Sequence, residues 1–246
     1  MATVALRTQR PVEGNALAEL AAGTPLTDTE AATLYRHACK DVAEIAESSG
    51  ASLLVTYPEG SEAQVIEMVE PALDDPSEAR FEPQVGSTPA ARMGNTVTHL
   101  LEAEAESSVA VLDPTAVLAT RSTIDQAAMK LRSSAVVVGP AAAGGIYYAG
   151  FTDTLDFEDI DRQPMVETLV DRAAEAGLST DVLAPSPTLS TVPDLQSTLP
   201  ILCGRRQAGL PVPERTSQYL ADLDLHVTAS DETGVESKKS SPAGGE

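Results

Sequence analysis

The stretch VVVGPAAAGGIYYAGF, Val136 to Phe151, sets the frame for the whole chain. An apolar run ends at Gly139-Pro140, three alanines and a Gly-Gly pair follow, and IYYAGF resumes an apolar run with two tyrosines. Both runs read as buried strands bounded by turn residues. The connection is far shorter than the dozen or so residues a parallel crossover needs, so the two strands are expected to be antiparallel neighbours. A turn like this can cradle a phosphate or carry a metal-binding carboxylate, and it can also be an ordinary turn.

The segments on either side alternate between strand and helix. A first short strand is expected at Val4–Leu6 and a buried strand at ASLLVTYP (51–58), stopped by Pro58. Another strand, SSVAVLDP (107–114), ends at Asp113, and STDVLAP (179–185) follows the helix Pro164–Ala176, which Gly177 closes. The clearest helix is Thr27–Ser48: Thr27 with Glu30 forms a capping box, and Ala31, Leu34, Tyr35, Ala38, Val42 and Ile45 share one face. Further helices are expected at 61–69, 90–105 and 120–132, with two short ones near 193–202 and 213–223. EPALDDPSEARFEPQVGSTPA reads as irregular. Strands and helices at this spacing predict an α/β fold: a mainly parallel sheet, helices on both faces, and one antiparallel strand. The folded unit is expected to cover residues 1–229, with a disordered polar tail over 230–246.

Composition narrows the function classes. Sixteen basic residues face 37 acidic ones, a net charge of −21, so nucleic acid and anionic lipid are not expected partners. The acids are spread along the chain and aromatics make up 3%, a pattern that fits adaptation to a salt-rich cytosol better than one acidic binding site. No apolar window approaches a membrane span, and MATVALRTQR has no stretch long enough for a signal peptide. Cys39 and Cys203 imply no disulfide framework, so the expected compartment is the cytoplasm. His37, His99 and His226 lack metal-ligand spacing, and His37 reads as a surface residue.

In sheets of this kind ligands sit at the carboxyl ends of strands, where the strand order reverses. Three loops are therefore candidates: Gln9–Gly14, Asp113–Ala116 and Gly139–Gly145. In the first, Pro11 fixes a bend and Gly14 permits close backbone approach, while Arg7 and Arg10 can offer charge to phosphates. The same loop can equally be a plain turn between strand and helix. Asp113 stands where a hard cation such as Mg²⁺ would bind with substrate phosphates, although Asp-Pro is also a common turn starter. Gln84, Gly86 and Arg92 surround a helix start, and Arg92 can clamp a phosphate or form a surface ion pair.

Five segments, in order, resemble the glycosyltransferase-A-like proteins of the radical-SAM/selenodomain-associated transferase family, distantly related to 2-phospho-lactate guanylyltransferases. They are RPVEGNALAEL, LTDTEAATLYRHACKDV, QVGSTPAARMGN, VVVGPAAAGGIYYAGF and PERTSQYLADLDL. The resemblance implies a GT-A-like nucleotide-diphospho-sugar transferase sandwich and a nucleotide or nucleotide-sugar donor. It also implies nucleotide contacts at Pro11, Gly14, Gln84, Gly86, Arg92, Gly144 and Gly145, with Mg²⁺ or Mn²⁺ at Asp113. Charged positions depart from the family pattern. Leu17-Ala18-Glu19-Leu20 stands for K-T-R-L, Ala143 for the aspartate of D-G-G, and Thr188-Leu189-Ser190-Thr191 for D-I-D-T. Two expectations follow: a glycosyl- or nucleotidyl-transferase with a depleted site, or a non-catalytic binding or scaffold protein of the same fold.

Overall fold

Thr27 accepts from the Glu30 amide while the Glu30 carboxylate takes the Thr27 amide, and this box opens the longest helix, α2 (Asp28–Glu47). The computed structural model describes residues 2–228 and 234–237. Seven strands form the main sheet: β1 (Ala2–Arg7), β2 (Ser52–Tyr57), β3 (Arg80–Pro83), β4 (Ser108–Leu112), β5 (Val136–Pro140), β6 (Ile146–Phe151) and β7 (Thr180–Val182). Their order is β3-β2-β1-β4-β6-β5-β7. Val4 pairs with Leu53 on one side and Ala110 on the other, both in parallel register. Only β6 runs against its neighbours, Tyr148 facing Leu112 of β4 and Gly139 of β5. The expected mainly parallel sheet with one antiparallel strand is thus observed, and the opening stretch is a hairpin.

Strand side chains alternate between two cores. Val4, Leu6, Leu53, Val55 and Val137 pack with α2, while Ala5, Leu54, Val109, Val136 and Val138 pack on the opposite face. The first core also holds α1 (Ala18–Ala22), α3 (Glu62–Val69), α5 (Arg121–Lys130), α7 (Val192–Gln207) and α8 (Glu214–Asp222). The second holds α4 (Pro89–Thr98), extended by a π-helical turn over His99–Ala103, and α6 (Met165–Glu175). Burying each large aliphatic side chain contributes about 1.5–3 kcal/mol, which is why both strand faces are apolar. Gly139 is required by packing, because a Cβ there would lie 2.7 Å from the Tyr147 ring.

A buried carboxylate fastens α8 to α2. Asp41 accepts from Arg215 (3.0 Å) and from the Thr216 amide and hydroxyl (2.8 and 2.7 Å). Four elements differ from the sequence reading. β3 forms inside the segment read as irregular, α1 follows the first loop, and α7 continues to Gln207. Within the expected disordered tail, β9 (Gly234–Ser237) pairs antiparallel with β8 (Leu225–Thr228), because Val235 finds an apolar seat in the first core. The rest of that tail lies outside the described residues. Among the described residues no helix is long and apolar enough to cross a membrane. His37 is half-buried, its ring 5.1 Å from that of Tyr219, and not the surface residue expected.

Candidate functional site

The carboxyl ends of β1, β2, β4 and β5 share one rim of the sheet, together with the start of β6. β1 is flanked by β2 and β4, so the chain leaves in opposite directions there and opens a crevice.

The loop after β1 is held by β2, α2 and the loop after β2. The Thr8 hydroxyl donates to Thr56 O (2.8 Å), and the Gln9 amide donates to the hydroxyl of buried Tyr35 (2.7 Å). Arg36 donates to Pro11 O and Arg10 to Glu59 O, both at 2.6 Å. Gly14 takes a positive φ of 69°, which turns the chain toward Asn15. A cavity of about 590 Å³ results, lined by Gln9, Arg10, Asn15, Pro58–Gly60 and Arg92.

Arg92 reaches this cavity from the first turns of α4. Thr88 caps that helix by accepting from the Ala91 amide, and Pro89 occupies its first turn. The Arg92 Nε donates to Gly86 O at 3.0 Å. Gly86 has φ 136°, and a Cβ on it would lie 2.8 Å from the Arg92 amide, so the helix start and the loop fit together only with glycine. The Gln84 amide nitrogen donates to Thr8 O (2.7 Å) and Thr56 O (3.1 Å), clamping the ends of β1 and β2. Of the residues expected to touch a nucleotide, Arg92 lines the cavity, while Pro11, Gly14, Gln84 and Gly86 lie outside its lining, in the segments that carry it.

Gly144 and Gly145 belong to a second group. They form the β5–β6 turn, where Ala141 N donates to Gly145 O (2.7 Å) and Ala143 and Gly144 take φ of 52° and 78°. The Ala142 amide donates to Asp194 Oδ1 at 3.2 Å. That same oxygen accepts from the Thr188 amide (3.0 Å), and Asp194 Oδ2 accepts from the Thr191 hydroxyl (2.7 Å).

Asp113 lies beside this turn. Its Oδ1 accepts from the Thr115 amide (2.7 Å) and hydroxyl (2.5 Å), the self-bonding of an Asx turn. The Ser190 hydroxyl is 2.8 Å from that of Thr115 and 3.5 Å from Asp113 Oδ2. Burial raises the Asp113 carboxyl above its ordinary range, opposed by the Thr115 bonds and the Arg7 charge.

A divalent cation prefers several oxygen ligands, one or two of them carboxylates, with room for water and phosphate. Here Asp113 Oδ1 is saturated, Asp194 is engaged by N–H and O–H donors, and hydroxyls line the space between. This donor set does not fit a resident cation. Elsewhere Glu82, His99 and Glu104 present ligand atoms within 4.8 Å of one another. Both carboxylates are held by Arg80, at 2.7 Å to each oxygen of Glu104, and that pairing lowers the Glu104 carboxyl below its usual range. The group is an ion-pair network at the β3 edge.

Sequence reasoning missed Pro58–Gly60, Tyr35 and Asp194. The first could have been found, because YPEG ends a strand on the same rim as the other candidate loops. The others act through contacts 26 and 52 residues apart in sequence, which no local pattern signals.

The sheet order and its flanking helices recur in solved structures of other proteins. A protein of Desulfovibrio desulfuricans G20, provisionally described as a nucleotide-diphospho-sugar transferase, superposes with a TM-score of 0.71 at 21% identity, over 91% of this chain and 95% of its own. The 4-diphosphocytidyl-2C-methyl-D-erythritol synthase of Anaerococcus prevotii DSM 20548 superposes at 0.51 and 10% identity, over 82% of this chain and 96% of its own. No curated protein matches the chain. It belongs to the DUF2064 family, described as "Uncharacterized protein conserved in bacteria", whose model matches residues 41–163.

Proposed function

We propose that the chain binds a nucleotide-activated donor in the cavity between the β1 and β2 loops and serves as a glycosyl- or nucleotidyl-transferase. One observation carries this reading: in a chain of net charge −21, Arg10 and Arg92 converge on one cavity at the rim where such folds bind ligands. Guanidinium groups match phosphate oxygens bidentately and keep their charge at any working pH. Both arginines are anchored to backbone carbonyls and so need little ordering on binding, which favours affinity. Gly144, Gly145 and the Asp113 corner then border the side where an acceptor would approach. The acidic surface is read as salt adaptation in a cytoplasmic protein.

Donor binding without transfer is the second reading, favoured by the hydroxyls that surround Asp113. Calorimetric titration with UDP-glucose, GDP-mannose and CTP tests the first step. Binding of any of them that weakens on Arg92→Ala supports the cavity as the donor site; no heat with all three overturns it. Release of nucleoside diphosphate or pyrophosphate in the presence of acceptors then separates the two readings.

A further inference from the structure

We propose that the Thr115–Ser190 hydroxyl pair closes the Asp113 corner in place of a divalent cation, so this chain holds no metal there. The resemblance read from the sequence would put a cation at Asp113. The side chains present are arranged for a different state.

Asp113 Oδ1 has two short donors on one residue, the amide and hydroxyl of Thr115. Because the Thr115 proton points at Asp113, its oxygen accepts from Ser190 at 2.8 Å and from the Leu189 amide at 3.4 Å. The Ser190 hydroxyl therefore stands beside Asp113 Oδ2, where a cation bridging residues 113 and 190 would need a carboxylate. The segment carrying Ser190 is fixed through Thr188. The Ser190 amide donates to the Thr188 hydroxyl (3.2 Å), and the Thr198 hydroxyl donates to Thr188 O (2.7 Å). Asp194, the other carboxylate here, is spent on the Ala142 and Thr188 amides and the Thr191 hydroxyl. A cation would have to displace neutral donors that already satisfy the corner and would gain a single carboxylate oxygen in return. Charge on a bound donor then falls to the arginines of the neighbouring cavity.

Cation binding can be measured without nucleotide, so this proposal and the donor-binding reading fail separately. Free Mn²⁺ is followed by electron paramagnetic resonance with the full chain in about 1 M KCl, where a Debye length of about 3 Å suppresses loose accumulation on the acidic surface. The expected result is the same Mn²⁺ uptake for wild type and Asp113→Asn. Ser190→Asp should bind one further Mn²⁺ at least about tenfold more tightly than wild type, because it supplies the second carboxylate. A wild-type Mn²⁺ that Asp113→Asn releases overturns the proposal. So does a Ser190→Asp protein that is folded by circular dichroism and gains no Mn²⁺. If Ser190→Asp does not fold, the comparison of wild type with Asp113→Asn decides alone.

Discussion

Ser190 and Asp113, 77 residues apart in the chain, meet at the rim of the sheet with Thr115 between them. The contact joins the loop after β4 to the loop that follows β7. It also brings together two positions that, by the resemblance read from the sequence, would both carry carboxylates, and it joins them through hydroxyl groups.

The Asp113 carboxyl gives this corner a pH signature. Its folded-state pKa lies above the ordinary aspartate value, chiefly through burial, so the folded chain keeps a proton over a window where the unfolded chain has lost it. Stability must then fall as pH rises through that window. Asp113→Asn cannot ionise and its side-chain oxygen can still accept from Thr115. Its melting temperature, followed from about pH 3 to about pH 7, should gain on wild type as pH rises and lose that advantage at the acid end.

Arg10 and Arg92 should each matter to a bound nucleotide. A hydrogen bond to a charged group contributes about 1.5–3 kcal/mol, so either alanine variant should weaken donor binding by about 10-fold to 150-fold. Arg92→Lys keeps the charge and loses the planar fork, and should recover only part of the affinity. Titration calorimetry measures each value.

Gly86→Ala tests the fit between loop and helix. The new Cβ would meet the Arg92 amide at 2.8 Å in a backbone conformation that alanine rarely adopts. A cost of about 1–3 kcal/mol is expected in chemical denaturation, together with weaker donor binding as Arg92 shifts.

Ala143→Asn should act in the opposite direction. Ala143 holds φ 52°, a left-handed conformation that costs a residue with a β-carbon about 1–2 kcal/mol and that asparagine tolerates better. A gain of up to about 1 kcal/mol in unfolding free energy is expected.

Asp41 ties α2 to α8 through three hydrogen bonds. Asp41→Ala removes a carboxylate that is 3% exposed and strands the Thr216 amide and hydroxyl that donate to it, while Arg215 keeps Glu44. The expected loss by denaturant titration is about 1–3 kcal/mol for each donor left unsatisfied.

Local chemistry was legible in the sequence wherever a few adjacent residues decide the outcome. Thr27 and Glu30 announced α2, and the Gly-Gly turn between apolar runs announced the β5–β6 hairpin and with it the antiparallel strand. β3 was hidden because it is a four-residue edge strand whose Arg80 and Glu82 pair with each other, so its pattern reads as charged loop. Gln84 was readable as a polar residue at a helix approach, but its use as a clamp on Thr8 and Thr56 depends on contacts 76 and 28 residues away. The Arg10–Arg92 cavity arises likewise from separate loops, and only the general rule for strand ends pointed to it.

Asp194 also serves two loops at once. One oxygen of its carboxylate receives the amides of both Ala142 and Thr188, so the hairpin turn and the return loop hang from a single anchor. Each loop keeps its own bond to that oxygen, so either can part from it singly, whereas a shift of Asp194 releases both. The position of one carboxylate on α7 therefore sets the place of two loops that are far apart in the chain. The arginine-lined side of the rim hangs from other anchors, Tyr35 and the Pro11 carbonyl, and can breathe on its own clock.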